Sequence, residues 1–419
     1  MIKHVGRYLT YKICCCSYLR QKIDYKTNKF LILKQQKNMI QTKEFSFKSI
    51  VCFSHLRWDF VYQRPQHLLS RFAAHAPVYF IEEPIFHDMD QDFLKFDKKE
   101  TNLHVIQPHI KVGLPAAELQ QSLTLLIDDF LTNIDLDSCL FWYYTPMALN
   151  FTAKYTPKSV IYDCMDELAA FKFAPSELVD LERKLMAKAD LVFTGGHSLY
   201  DAKKDQHDNI FAFPSSIEKE HFFKARNKDI EAADQQTISG LKIGFFGVID
   251  ERFNLGLIHD IAVQRPEWQI ILIGPVVKID PASLPQRANI HYLGQRSYAE
   301  LPSYLAGWSV ALIPFLLNES TKFISPTKTP EYLAAGVPVV STPIKDVVRP
   351  YGIEKLVHIA ANSEDFIKAI DLELNSKSNA QWLIKVDLFL KEMSWDHTCA
   401  MMNAKLLDTI DENKISIAS

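Results

Sequence analysis

The sequence SPTKTPEYLAAGVPVVST, residues 325–342, decides the fold of this 419-residue chain, because a helix start, a helix end and a strand follow one another in it. Thr329 is of a type that caps helices, and Pro330 suits the first helical position, where its missing N–H costs nothing. Gly336 suits the left-handed residue that ends a helix. The apolar run 337–341 predicts a buried strand. The stretch therefore predicts a short, sharply bounded helix followed at once by a strand.

Two charged residues stand at the start of this predicted helix. Lys328 lies just before it, and Glu331 lies in its first turn. Exposed backbone N–H groups and the positive end of the helix dipole favour an anion there. Lys328 can therefore meet a diphosphate, and Glu331 can accept hydrogen bonds from both hydroxyls of a ribose. The residues alone leave a second interpretation open, in which Glu331 complements the helix dipole and Lys328 is a solvated loop residue.

Strand and helix signals alternate along the rest of the chain from residue 48 onward. The first half has predicted helices at 66–74 and 176–188 and predicted strands at 50–53, 78–81, 104–106, 139–144, 159–163 and 191–194. The second half has predicted strands at 242–247, 268–274, 290–294, 310–314, 337–341 and 356–359. Such alternation predicts an α/β protein with doubly wound parallel sheets, whose ligands bind beyond the carboxyl ends of the strands.

A charged, polar segment at 224–240 divides the chain into two predicted Rossmann-like domains, 46–223 and 241–392, which face each other across a cleft. An amphipathic segment at 393–413 predicts a terminal helix. Residues 1–38 carry nine lysines and arginines against one aspartate. Three explanations of this extension stay open: a start assigned too far upstream that leaves a disordered tail, a basic arm for a membrane surface, or a secretory signal, for which the apolar core segment is missing.

Composition narrows the class of protein. The formal net charge of −3 and the lack of a basic stripe with interleaved aromatics exclude a nucleic-acid partner. No run of 18 apolar residues is present, so we expect a soluble protein or one that binds the inner face of a membrane peripherally. The seven cysteines show no metal-ligand spacing and indicate free thiols in a reducing cytoplasm.

Residues 325–342, together with the preceding strand 311–315, resemble the donor-nucleotide segment of GT-B glycosyltransferases of the family-four and family-one type. The resemblance covers residues 48–410 and implies the GT-B fold, in which the terminal helix crosses back onto the first domain. Residues 162–167 and 244–253 resemble more narrowly the bacterial enzymes of cell-surface polysaccharide assembly, including the teichuronic-acid type.

The resemblance also implies residue roles in the second domain. Glu331 would bind the ribose, and Ser325, Thr327 and Lys328 would face the diphosphate. The further donor-binding residues that it implies are Gly247 and Arg252, beside the diphosphate, and Gln295, beside the base. The family also carries an earlier glutamate that contacts the donor sugar, and Phe323 takes its place here.

In the first domain, polar residues follow two predicted strands. Arg57, Arg64 and His67 follow the first strand and are candidate acceptor or phosphate contacts. Asp163 and Asp166 follow a later strand and are candidate catalytic bases for an acceptor hydroxyl. For each of these residues, capping of a helix or packing is an alternative that the sequence leaves open.

Together these features predict transfer of a sugar from a nucleotide-diphosphate donor, most often UDP in similar proteins, to a saccharide or lipid-linked acceptor. No cofactor and no metal are expected, because cations and helix dipoles neutralise the leaving group in such folds. Two alternatives stay open: a nucleotide-sugar epimerase of the same fold, and a non-catalytic nucleotide-sugar-binding protein. The sequence leaves retention or inversion at the sugar carbon undecided.

Overall fold

The computed structural model describes residues 45–375 and 380–418, so the predicted extension 1–38 lies outside the described residues. The first half of the chain forms one sheet. Its strands are β1 (Ser49–Phe53), β2 (Val78–Ile81), β3 (Ile85–His87), β4 (Phe93–Glu100), β5 (Leu103–Lys111), β6 (Cys139–Tyr143), β7 (Ser159–Cys164), β8 (Leu191–Thr194) and β9 (Ile210–Ala212). The order is β3-β5-β2-β1-β6-β7-β8-β9 with parallel pairing, and β4 is added antiparallel to β5.

Helices cover both faces of this sheet, which explains why its central strands are continuous apolar runs. In β1, Ile50 and Cys52 belong to the core on one face, whereas Val51 and Phe53 belong to the core on the other face. The helices of this half are α1 (Arg64–Phe72), α2 (Ala116–Leu131), α3 (Leu149–Thr152), α4 (Leu178–Lys188), α5 (His197–Lys203) and α6 (Lys219–Phe223).

The second half forms a wholly parallel sheet. Its strands are β10 (Leu241–Phe246), β11 (Trp268–Ile273), β12 (Ile290–Gly294), β13 (Val310–Ile313), β14 (Val339–Ser341) and β15 (His358–Ile359), in the order β12-β11-β10-β13-β14-β15. The helices are α7 (Ala233–Gln236), α8 (Leu255–Gln264), α9 (Leu301–Ala306), α10 (Lys328–Ala334), α11 (Lys345–Val347), α12 (Ser363–Asn375), α13 (Ala380–Phe389) and α14 (Trp395–Ala418).

Helix α14 returns to the first domain, as predicted. Its residues Trp395, Met402 and Leu406 are buried in the core of the first domain. The Nε of Arg71 on α1 lies 2.5 Å from the Asp396 carboxylate. The two domains are therefore joined twice, once through the chain before β10 and once through α14.

Two local predictions differ from the structure. Helix α10 begins at Lys328 after Thr327, and the Thr329 hydroxyl is buried without a hydrogen-bond partner, so Thr329 is not the N-cap. Strand β4 adds an antiparallel strand to a sheet predicted to be parallel. The segment 224–240, predicted as the interdomain linker, contains short helices whose apolar residues pack on the second core. The end of α10 is as predicted, because Gly336 has φ +73°.

Candidate active site

The carboxyl ends of the strands in both sheets face a cleft of about 730 Å³ between the domains. The predicted site residues that line it are Arg64, Asp166, Gly247, Arg252, Gln295, Ser325, Thr327, Lys328 and Glu331. Arg57, His67 and Asp163 lie outside the cleft lining. The fold thus brings together every predicted donor residue, and it brings one predicted acceptor residue and one predicted base to the same cavity.

The centre of the predicted donor side is the start of α10. A glycine is required at position 247, because its φ is +136° and an added Cβ would lie 2.2 Å from Cε of Lys328. The Lys328 ammonium also lies 5.5 Å and 5.8 Å from the ring centroids of Phe245 and Phe315. The lysine is therefore held at one place over the ends of β10 and β13.

Glu331 follows Lys328 by three residues on α10, and 7% of it is exposed. Burial lowers the pKa of Lys328 and raises the pKa of Glu331, and the attraction between the two charges opposes both shifts. A half-buried cation and a buried hydrogen-bond acceptor thus share one end of the cleft. A ligand with an anion next to a diol matches both groups.

Arg252 lines the cleft but is already paired. Its Nη2 lies 2.6 Å from the Asp250 carboxylate, and its Nε lies 3.0 Å and 3.1 Å from the two oxygens of that group. The guanidinium also lies 5.3 Å from the ring centroid of Phe171 in the first domain. Arg252 can offer an anion only the part of its charge that Asp250 leaves uncompensated.

Asp166 is the one predicted base that reaches the cleft. It is half-buried, and burial raises the pKa of its carboxyl group to about 6, against an attraction from Arg252 that lowers it. A carboxylate with a pKa near neutrality can take a proton from a bound hydroxyl and later release it.

Asp163 has a different role from the predicted base. Its carboxylate is fully buried and accepts hydrogen bonds at 2.8 Å to 3.1 Å from Nη2 and Nε of Arg64. Arg64 also donates from Nη1 to the carbonyl oxygen of Phe213 at 2.6 Å. The pair fixes the start of α1 against the end of β7, so both residues position the cleft wall.

Arg57 and His67 are also engaged elsewhere. Arg57 pairs with Glu82 at 3.1 Å and donates to backbone carbonyl groups of the β2–β3 connection. The His67 ring stacks on Trp395 of α14 with a centroid distance of 4.6 Å, and its Nδ1 lies 3.6 Å from Glu218. These contacts favour packing, the alternative that the sequence had left open, over an acceptor role.

Two further predicted donor residues, Gln295 and Ser325, contact the first domain. Gln295 donates from its side-chain amide to the carbonyl oxygen of Phe60, and the carbonyl oxygen of Ser325 accepts a 3.4 Å hydrogen bond from the Ser215 hydroxyl. Phe323 packs against the core of the first domain. The half-buried Phe323 ring thus contributes an apolar contact where the family carries a glutamate.

Two contacts across the cleft carried no signal in the sequence. Tyr62 of the first domain stacks on Tyr298 of the second, with ring centroids 4.6 Å apart. Asp346 of the second domain accepts a 2.9 Å hydrogen bond from the backbone N–H of Ser198, at the start of α5 in the first domain. An added Cβ at Gly196 would lie 2.2 Å from Asp346, so this contact also requires a glycine there.

Comparison with known proteins identifies the class. The model of the family described as glycosyl transferases group 1 matches residues 242–375, which form most of the second domain. The structure described as "Trehalose-6-phosphate from E. coli bound with UDP-2-fluoro glucose" aligns with TM-score 0.64 and 12% identity over 86% of this chain and 99% of that chain. Sucrose-phosphate synthase from Thermosynechococcus elongatus aligns with TM-score 0.63 and 13% identity over 89% of this chain and 100% of that chain. The chain thus has the predicted GT-B fold, and its second domain is a group 1 glycosyltransferase domain.

A match to one curated protein gives more specific information than the family model does. The "Putative teichuronic acid biosynthesis glycosyltransferase TuaH" of Bacillus subtilis (strain 168) is 25% identical over 222 residues, which is 49% of this chain and 56% of that protein. The match thus spans little more than half the length of that relative. It agrees with the predicted resemblance to bacterial enzymes of cell-surface polysaccharide assembly.

Proposed function

We propose that this protein is a glycosyltransferase that moves a sugar, most simply a hexosyl group, from a nucleotide-diphosphate donor to a saccharide or lipid-linked acceptor. The observation that carries the proposal is the convergence of Lys328, Glu331 and Gly247 at one end of the interdomain cleft. Glu331 would accept hydrogen bonds from the ribose, and Lys328 would stabilise the diphosphate as it leaves. The name of the curated relative, which refers to teichuronic acid biosynthesis, supports a role in polysaccharide synthesis. UDP-sugars are the first donors to test, because UDP is most often the donor nucleotide in the proteins that the sequence resembles.

In the proposed reaction the acceptor hydroxyl loses its proton to the Asp166 carboxylate and forms a bond to the anomeric carbon of the donor sugar. The bond from that carbon to the diphosphate breaks, and its electron pair leaves with the nucleoside diphosphate. Lys328 stabilises the new negative charge on the diphosphate. Arg252 adds to this stabilisation only as far as Asp250 does not already compensate its charge. We propose that these residues suffice without a metal ion, which predicts undiminished turnover in the presence of a chelator.

The proposed site of action is the cytoplasm, with the acceptor presented at the inner membrane face. Among residues 45–375 and 380–418, every helix is too short or too polar to cross a bilayer. Contact with the membrane would therefore be peripheral in this part of the chain.

Calorimetric titration with UDP, GDP and ADP tests the donor site without knowledge of the acceptor. We expect one nucleotide to bind selectively, and Glu331→Ala to weaken its binding by about 1.5–3 kcal/mol through lost charge-assisted hydrogen bonds. Glu319→Ala is the matched control, because Glu319 is the nearest upstream acid and its side chain is 78% exposed. If no nucleotide binds, or if both variants behave alike, Glu331 does not form a donor site.

A second experiment on the purified protein distinguishes a transferase from an epimerase. An epimerase converts its nucleotide sugar when no second substrate is present, whereas a transferase releases nucleoside diphosphate only as acceptor is consumed. Nuclear magnetic resonance spectra of the donor sugar, recorded with and without acceptor, distinguish the two reactions.

A further inference from the structure

Helix α13 carries large apolar side chains on its outer face as well as on its inner face. Trp382 and Val386 pack inward on the core of the second domain. Ile384 and Leu388 are four residues apart, so they share the outer face, and they are 61% and 68% exposed. A helix that is apolar on all sides is typical of a helix that is covered on all sides. The outer face of α13 is therefore built to be covered.

Two further exposed apolar side chains flank this face. Phe223 is 55% exposed, and Arg226 joins it to α13, because the guanidinium lies 4.4 Å from the Phe223 ring centroid and 2.6 Å from the Asp387 carboxylate. Ile353 is 66% exposed, and the carbonyl oxygen of the next residue accepts a hydrogen bond from the Lys385 ammonium. We call the resulting surface the α13 patch, and its apolar members are Phe223, Ile353, Ile384 and Leu388.

The charges on the segments that carry the patch are mainly positive. Segments 219–226, 353–355 and 381–392 contain five lysines and one arginine against four acids, which gives a local net charge of +2 on a chain whose net charge is −3. One of the four acids, Asp387, is paired with Arg226. The Lys219 ammonium donates to the carbonyl oxygen of Lys391 at 2.9 Å, which places a further cation at the end of α13. The charge of the patch is therefore complementary to an anionic partner.

A second copy of this chain would be a poor partner for the patch. A two-fold interface places the same surface on both sides, so the lysines of one copy would face the lysines of the other. The acid on α13 itself, Asp387, already pairs with Arg226 and would not relieve that repulsion. An anionic bilayer suits both features, because apolar side chains enter the boundary of the acyl chains while lysines meet the lipid phosphates.

We infer that the α13 patch docks this protein on an anionic membrane surface. The inference deepens the proposed function, on which it rests for the lipid-linked acceptor, by naming the surface and the class of lipid that would bring the protein to such an acceptor. The apolar side chains provide affinity, and the lysines provide the preference for anionic lipid.

The test measures co-sedimentation of the full-length protein with vesicles of equal parts phosphatidylglycerol and phosphatidylcholine, or of phosphatidylcholine alone. We expect binding to the vesicles that contain phosphatidylglycerol, weaker binding to phosphatidylcholine alone, and a decrease in binding as salt is added. Leu388→Gln should weaken binding about tenfold, because a side chain that enters the bilayer is lost. Lys391→Gln should weaken binding to phosphatidylglycerol vesicles about fivefold.

Leu125→Gln is the matched control, because Leu125 is 61% exposed on α2 of the first domain. Glutamine is a good helix former, so both leucine variants should keep the wild-type stability in urea. Leu388 lies outside the cleft lining, so Leu388→Gln should bind UDP as the wild type does. Failure of the wild type to bind UDP would refute the donor site, whereas the vesicle experiment decides this inference by itself.

Three results would overturn the inference. The first is wild-type protein that does not bind phosphatidylglycerol vesicles or that binds both kinds of vesicle equally. The second is equal vesicle binding by Leu388→Gln and Leu125→Gln. The third is a wild-type dimer in analytical ultracentrifugation that Leu388→Gln converts to a monomer, because the patch would then belong to a second copy of the chain.

Discussion

Substitution of Gly247 by alanine should weaken donor binding while the fold persists. Gly247 ends β10 with φ +136°, and an added Cβ would lie 2.2 Å from Cε and 2.7 Å from Nζ of Lys328. Both distances are shorter than non-bonded atoms accept, so the lysine must leave its place over Phe245 and Phe315. The variant thus displaces the ammonium without removing it from the protein.

The expected loss of affinity follows from that displacement. A hydrogen bond to a charged group contributes about 1.5–3 kcal/mol, and each 1.4 kcal/mol changes the dissociation constant about tenfold. UDP should therefore bind about ten to a hundred times more weakly. An alanine in this backbone conformation should also destabilise the folded state by about 1–3 kcal/mol.

Gly240→Ala is the matched control. Gly240 also has a positive φ, +105°, but the nearest atom to its added Cβ is Cγ of Gln269 at 3.5 Å, and the residue lies outside the cleft lining. Urea unfolding should show a similar loss of stability for both variants, and calorimetry should show weakened UDP binding for Gly247→Ala alone. Equal UDP affinity in the two variants would refute the placement of the diphosphate beside Lys328.

Asp166→Asn should lower the rate at which UDP is formed from the donor about a hundredfold or more, with unchanged UDP affinity. Equal rates in wild type and variant would show that Asp166 is not the base. Because the pKa of Asp166 is raised to about 6 in the folded state, its ionisation costs stability as the pH rises through that value. The melting temperature of Asp166→Asn should therefore exceed that of the wild type at pH 7.5, with the gap closing by about pH 4, and a gap independent of pH would contradict this. Asp346→Ala should cost about 0.5–2 kcal/mol in urea unfolding by uncapping α5, whereas Asp346→Asn, which keeps an acceptor oxygen for Ser198, should retain most of that stability; equal losses would refute the capping role.

Much of the candidate donor site could be predicted because its determinants are local. Lys328, Glu331 and Gly336 lie within one helix and its end, where spacing alone sets which residues share a turn. Only the start of the helix was misplaced, because Thr329 is buried and its hydroxyl is unavailable to cap.

The acceptor side was less predictable because its roles depend on partners distant in sequence. Nothing near Asp163 in the chain indicates that Arg64 neutralises it, and nothing near His67 indicates that Trp395 covers it. Composition at a strand end shows that polar groups gather there. Composition does not show which of these polar groups form ion pairs with one another and are then unavailable to a ligand.

The sequence by itself determined the α/β fold and the end of α10, because apolar periodicity and helix-end residues act over a few positions. The return of the last helix to the first domain was implied by the resemblance to GT-B glycosyltransferases. The tertiary structure decided which charges stay available for a ligand. Pairing distances and burial arise only when strand ends from both domains meet, and they leave Lys328, Glu331 and Asp166 as the charges with which the cleft can act.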